Sequence, residues 1–92
     1  MTRARALGAR LVQLADEDAT AYRAFMSERN EGTRAEIIRV PREIATHADA
    51  VAEIADGLRG RLKPSVAGDA EAGAELARAA ARVARRLAEI NA

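Results

Sequence analysis

The stretch "LADEDATAYRAFM", residues 14–26, decides how this chain folds. Leu7, Leu11, Leu14, Ala21 and Phe25 follow one another at steps of four and three, the spacing of a helix that buries one side, except that one seam position is interrupted. The interrupting residue is Asp18. An unpaired carboxylate inside an apolar seam is costly, so Asp18 should be paired, hydrated in a cleft, or shifted upward in pKa. It is therefore either a structural aspartate, capping a neighbouring helix or meeting an arginine, or a functional carboxylate.

Working outward, Thr2 can cap this first helix, which runs to about Glu28 and ends at "NEG", residues 30–32. "TRAE", residues 33–36, has the form of a capping box with Thr33 at the cap and Glu36 three positions on, opening a second helix that runs to about Leu62. The second seam reads Ile37, Pro41, Ile44, Ala48, Val51, Ala55 and Leu58, with Val40 and Ile54 widening it. Its period passes straight through Pro41, which removes one backbone hydrogen bond and should kink the helix or split off a short first segment. "KPSVAGD", residues 63–69, reads as a loop, with Asp69 capping a third helix from Ala70 to about Asn91. The third seam is Gly73, Leu76, Ala80, Val83, Leu87 and Ile90.

The expected fold is all-α: a single domain over residues 1–92, an antiparallel bundle of three long helices with the second kinked near Pro41. A chain of 92 residues buries only about 60 to 65% of the surface its unfolded form exposes. Three one-sided stripes exceed what so short a chain can cover, so self-association should complete the bundle, with the seams of the first two helices near the contact.

The composition narrows the function classes. Alanine accounts for 24 residues, against one Tyr, one Phe and no Trp, so helices can approach closely but few large side chains fill a core. With no cysteine there are no disulfides, thiolate nucleophiles or sulfur ligands. Fifteen basic and fourteen acidic residues interleave to a net charge of +1, which gives no field to draw the chain onto nucleic acid or membrane. No apolar run reaches the roughly 18 to 20 residues of a membrane span, and "MTRARALGAR" lacks the apolar core of a signal peptide, so the cytoplasm is the expected compartment.

No G-x-S-x-G, Walker A or H-E-x-x-H motif occurs, and a single His makes no metal cluster. Asp16 and Glu17 fall on other faces of the first helix and read as solvated charges. Tyr22, four residues after Asp18, can bring its hydroxyl near that carboxylate or serve as core filler. His47, on the flank of the second seam, reads as a satisfied interface residue and not a general base. Arg82, Arg85 and Arg86 read as a solvated face near a helix C-terminus, ahead of an anion site.

Four stretches, taken together, resemble one family. "LADEDATAYRAFM" looks like the D-x-x-A-Y/F helix of the cyclodeaminase and methenyltetrahydrofolate cyclohydrolase family, which includes the C-terminal domain of formiminotransferase-cyclodeaminase. "IIRVPREIA", residues 37–45, is similar to its A-x-x-x-P-x-x-I-A helix, and "GDAEAGAELARAA", residues 68–80, to its S-D-x-x-x-A-x-x-L-x-x-A-A helix start. "EINA" resembles its N-V-x-I-N-L ending, with Leu87 where the family usually has the first Asn. The order and spacing are compatible from about Ala6 to Asn91.

The resemblance implies a homodimeric helical enzyme that hydrolyses or deaminates a one-carbon bridge on tetrahydrofolate, with Asp18 catalytic and Tyr22, Pro41 and Asp69 binding substrate. It implies no metal and no tightly bound cofactor, the tetrahydrofolate derivative being the substrate. The family's glycine-rich P-G-G-G-S opening segment does not precede the signature helix, so a partial domain is expected, weak in turnover alone and completed by a homodimer or by a partner chain that supplies that helix. The alternative is a non-catalytic helical oligomerisation or partner-binding module that has lost the reaction.

Overall fold

The computed structural model describes the backbone of residues 2–92 and the side chains of residues 6–58 and 60–92. It consists of α1 (Thr2–Ser27), α2 (Glu31–Arg59) and α3 (Pro64–Asn91), with no strand among the described residues. The expected cap by the Thr2 side chain lies outside the described residues.

The helix boundaries differ from the expected ones at two places. The capping box sits one turn earlier: Asn30 Oδ1 accepts the Thr33 amide at 2.9 Å while Thr33 Oγ1 accepts the Asn30 amide at 3.0 Å. Glu36, expected to reach back to Thr33, instead accepts from Arg39. α3 begins at Pro64, five residues before Asp69, so Asp69 is an interior helical residue and not its cap. Proline is suited to a first helical turn because its missing N–H would have no intrahelical partner there. α2 runs through Pro41 without splitting in two.

α2 is the central element: α1 and α3 both pack on it, and they do not approach each other. The molecule measures 51 × 24 × 14 Å, a layer whose width fits three helices at roughly 8 to 10 Å between axes. The α1–α2 contact is made by large side chains. Leu14 and Val40 are fully buried, joined by Ala21 and Ile37, with Phe25 and Ile44 at the margins. Phe25 also lies under the guanidinium groups of Arg29 and Arg34, 5.2 and 5.4 Å from its centroid, which ties the α1–α2 turn to the core.

The α2–α3 contact is made by alanine. Ala45 and Ala48 of α2 meet Ala81 and Ala84 of α3, and Ala52, Ala74 and Ala88 extend the buried row. The ion pairs Asp56–Arg78 and Asp49–Arg85 stand seven residues apart on each helix, in opposite directions, and fix the antiparallel register. This corrects the expected third seam. Leu76, Val83, Leu87 and Ile90 face outward, Leu76 being 73% exposed, because only the alanine face of α3 matches the alanines that α2 presents. Within the chain, the α1 and α2 seams pack against each other through Leu14, Ala21, Ile37 and Val40.

A closed ring of charges spans α1 and α2. Arg10 donates to Glu17 at 2.6 Å and Glu43 at 2.9 Å, and Arg39 donates to the same two carboxylates at 3.1 and 2.7 Å and to Glu36 at 2.9 Å. Glu17, expected to be solvated, is thus half-buried at the interface. Hydrogen bonding to Arg10 lowers the Glu43 pKa, and hydrogen bonding to Arg39 lowers that of Glu36.

Two outcomes test this packing. Ala81→Leu should destabilise the chain by about 1 to 3 kcal/mol in urea denaturation, whereas Ala72→Leu on the exposed side of α3 should stay within about 0.5 kcal/mol. Equal effects would show that the alanine face is not the buried one. Because the Glu36 and Glu43 pKa values lie below the ordinary 4.5 when folded, the unfolded chain binds more protons in that range. The ring's contribution should therefore be complete above about pH 4.5 and fall away as the pH drops through the lowered values. Glu43→Gln should lower the urea midpoint at pH 7 and flatten its decline in acid; an unchanged acid profile would remove the ring from the stability of the fold.

Candidate functional site

Asp18 and Tyr22 project from the fifth and sixth turns of α1, on the flank of the buried stripe opposite to Glu17. That offset answers the question raised by the interrupted seam. Position 17 faces α2, and position 18 opens into a cleft over α2, between α1 and α3, lined by Asp18, Tyr22, Ile37, Pro41, Leu87 and Asn91. The cleft has a volume of about 200 Å³. Asp18 is solvent-exposed at the cleft and has neither an ion-pair partner nor a hydrogen-bonded cap among the described residues, so neither structural role expected for it is observed.

Three of the four expected site residues come together here: Asp18 and Tyr22 from α1 and Pro41 from α2. Asp69 does not. It stands 22 positions before Asn91 on α3, roughly 33 Å along the helix axis. Leu87 and Asn91 complete the lining, and the sequence reading had given neither a role in a site. Their signal was the Pro41 position itself. In an α-helix each N–H bonds the carbonyl four residues earlier, so Pro41 leaves the carbonyl of Ile37 without its helical donor. Asn91 Nδ2 donates to that carbonyl at 3.1 Å, which brings the end of α3 to the cleft. Arg34 adds a second tie, Nη1 donating to the Asn91 backbone carbonyl at 3.3 Å.

Three larger hollows lie elsewhere. One, about 660 Å³, runs along α2 past Ala35, Ile38, Arg39, Arg42, Glu43 and Thr46, where the charged ring occupies its edge. Another, about 540 Å³, sits at the α1–α2 elbow between Ala21, Ala24 and Gly32, and a third, about 400 Å³, lies between Arg42 and Thr46 of α2 and Arg85 and Glu89 of α3. Size alone favours these, but Glu17, Glu36 and Glu43 are already hydrogen-bonded to arginine and Glu89 is paired with Arg86, while Asp16 at the elbow, exposed and unengaged among the described residues, has no phenol beside it. The smaller cleft presents an unengaged carboxylate, a phenol and apolar walls together.

The remaining candidates are accounted for by the fold. His47 Nδ1–H donates to the Glu43 carbonyl at 2.9 Å, as expected of a satisfied interface residue. Arg85 meets Asp49 and Arg86 meets Glu89, which engages two of the three arginines of that group.

Among the described residues, no helix is long and apolar enough to cross a membrane. Comparison with curated proteins and with solved structures gives no match. The family model described as formiminotransferase-cyclodeaminase matches residues 1–92, and with the whole chain covered, this protein belongs to that family.

Proposed function

We propose that the chain binds a one-carbon derivative of tetrahydrofolate at the cleft over α2 and takes part in opening or closing its carbon–nitrogen bridge. The observation that carries this reading is the convergence of Asp18 and Tyr22 of α1 with Pro41 of α2 on one cleft in a chain of this family. Hydrolysis of a methenyl bridge needs a proton removed from the attacking water and one delivered to the departing nitrogen. Asp18 suits both transfers and also favours the cationic nitrogen of the bridge electrostatically. The Tyr22 hydroxyl would orient the water, and Ile37, Pro41 and Leu87 would hold the ring by apolar contact. This chemistry calls for no tightly bound cofactor.

A volume of about 200 Å³ is below the roughly 300 to 1,000 Å³ usual for pockets that enclose a ligand. Only the ring end of a folate fits, and a second chain would supply the remaining walls. The outward stripe of Leu76, Val83, Leu87 and Ile90 is the surface best suited to that contact, and it borders the cleft through Leu87. Asp69 would enter the site only across such an interface. A purely structural oligomerisation module would use the same stripe, but it would not call for the family's Asp18, Tyr22 and Pro41 to meet at one cleft beside it. Cytoplasmic one-carbon metabolism is the setting that fits this reading.

Two measurements test it. 5,10-Methenyltetrahydrofolate should raise the thermal midpoint, by the equivalent of about 2.7 kcal/mol at a hundred times its dissociation constant. Any decay of its absorbance catalysed by the chain should slow by about 10² or more in Asp18→Asn. Stabilisation by no folate derivative would sink the folate reading, and an unaltered rate in the variant would remove Asp18 from the chemistry. In light scattering, the wild-type chain should be at least dimeric at micromolar concentration and Val83→Glu monomeric with its helix content intact; a monomeric wild type would refute the assembly.

A further inference from the structure

We propose that Asn91 is the positioning residue of the cleft: the Ile37 carbonyl that Pro41 leaves free claims its amide nitrogen, so that its amide oxygen and the Asp18 carboxylate together receive a ligand edge carrying N–H donors. The argument rests on what each group can do. A carbonyl only accepts, so the face of the Asn91 amide that meets Ile37 must be the NH₂, as the 3.1 Å Nδ2 contact has it. The other end, Oδ1, then has a fixed orientation and no protein partner among the described residues. Elsewhere an asparagine amide can turn over to suit its ligand. Here, turning over would set oxygen against oxygen at Ile37 and leave a carbonyl of a buried residue orphaned.

The cleft therefore has a defined polarity. An ionised carboxylate accepts only, and so does the fixed Asn91 oxygen; Tyr22 alone can either donate or accept. Ile37, Pro41 and Leu87 make the rest apolar. The complementary ligand is a flat group with two or more N–H donors on one edge, as in an aminopyrimidine ring. The identification of that ring with the ring end of a folate rests on the function proposed above, whereas the claim about Asn91 stands on the geometry alone. Proline in mid-helix thereby becomes part of the site: it costs α2 a hydrogen bond, and the carbonyl it frees orients a side chain on α3.

The test uses the intact chain labelled with ¹⁵N, which has only three side-chain carboxamides, at Gln13, Asn30 and Asn91, so their signals are separable. The Asn91 amide protons should exchange with solvent about tenfold more slowly than those of Gln13, and Pro41→Ala, which returns an N–H to the Ile37 carbonyl, should abolish that protection. In urea, Asn91→Ala should lower the midpoint in the wild-type background and lower it much less in Pro41→Ala. Titration with 2,4-diaminopyrimidine should shift the Asn91 signals, and 1,3-dimethyluracil, a ring of similar shape without N–H groups, should not. Because Pro41 also lines the cleft, the readout is selectivity: the preference for 2,4-diaminopyrimidine over 1,3-dimethyluracil should fall at least tenfold in Pro41→Ala, whereas loss of the Pro41 apolar contact alone would weaken both rings equally. Equal costs of Asn91→Ala in the two backgrounds would overturn the positioning role, and equal responses to the two rings would overturn the assigned polarity. A chain that passes these tests but binds no tetrahydrofolate derivative would refute the folate reading alone.

Discussion

The close approach of α2 and α3 over alanine is the constraint from which the rest of the structure follows. Ala45 and Ala48 against Ala81 and Ala84 bring the two helices together through methyl groups, with the branched Ile44 kept to the margin. The larger residues of α3 are consequently turned to the outside, and α3 is held by its register: two heptad-spaced ion pairs along the shaft and the Asn91 bond at the end. With α3 fixed on one side of α2 and α1 packed through Leu14 and Val40 on another, the chain becomes a layer with a cleft and not a closed bundle.

The two interfaces of α2 are built from different physics. Toward α1 it offers Ile37, Val40 and Ile44, where burial of branched side chains supplies the attraction, and a ring of half-exposed charges sets the rotation of α1. Exposed ion pairs contribute little one at a time, but a ring in which two arginines share two glutamates fixes geometry as well as energy. By drawing Glu17 onto α2, it turns Asp18 away into the cleft. The carboxylate that stabilises and the one available for chemistry are adjacent in sequence and separated by about 100° around the helix.

Pro41 connects the fold to the site. The interruption it makes in the α2 ladder would be only a cost in an isolated helix; in this chain the freed Ile37 carbonyl anchors α3 where the cleft needs a wall. The resemblance that first linked the proline helix with the Asn-containing ending thus has a direct physical counterpart, a donor and an acceptor on neighbouring helices.

The sequence by itself determined the number, type and order of the helices, the absence of cysteine chemistry and of an apolar spanning segment, and the family, because these depend on periodicity, composition and motif order. It also marked Asp18, Tyr22 and Pro41 as residues out of keeping with a simple seam. Which face of each helix is inside was decided only in three dimensions. On α3 two stripes share the same period, one of alanine and one of Leu, Val and Ile, and hydropathy favours the second; shape selects the first, since only small residues match the alanines of α2. The cap at Asn30, the start at Pro64, the turn of Glu17 toward α2 and the Asn91 bond to Ile37 depend on partners up to 57 residues away or on which of several competent local donors is engaged. A one-dimensional pattern records which residues can make such contacts, and the packed chain fixes which ones do.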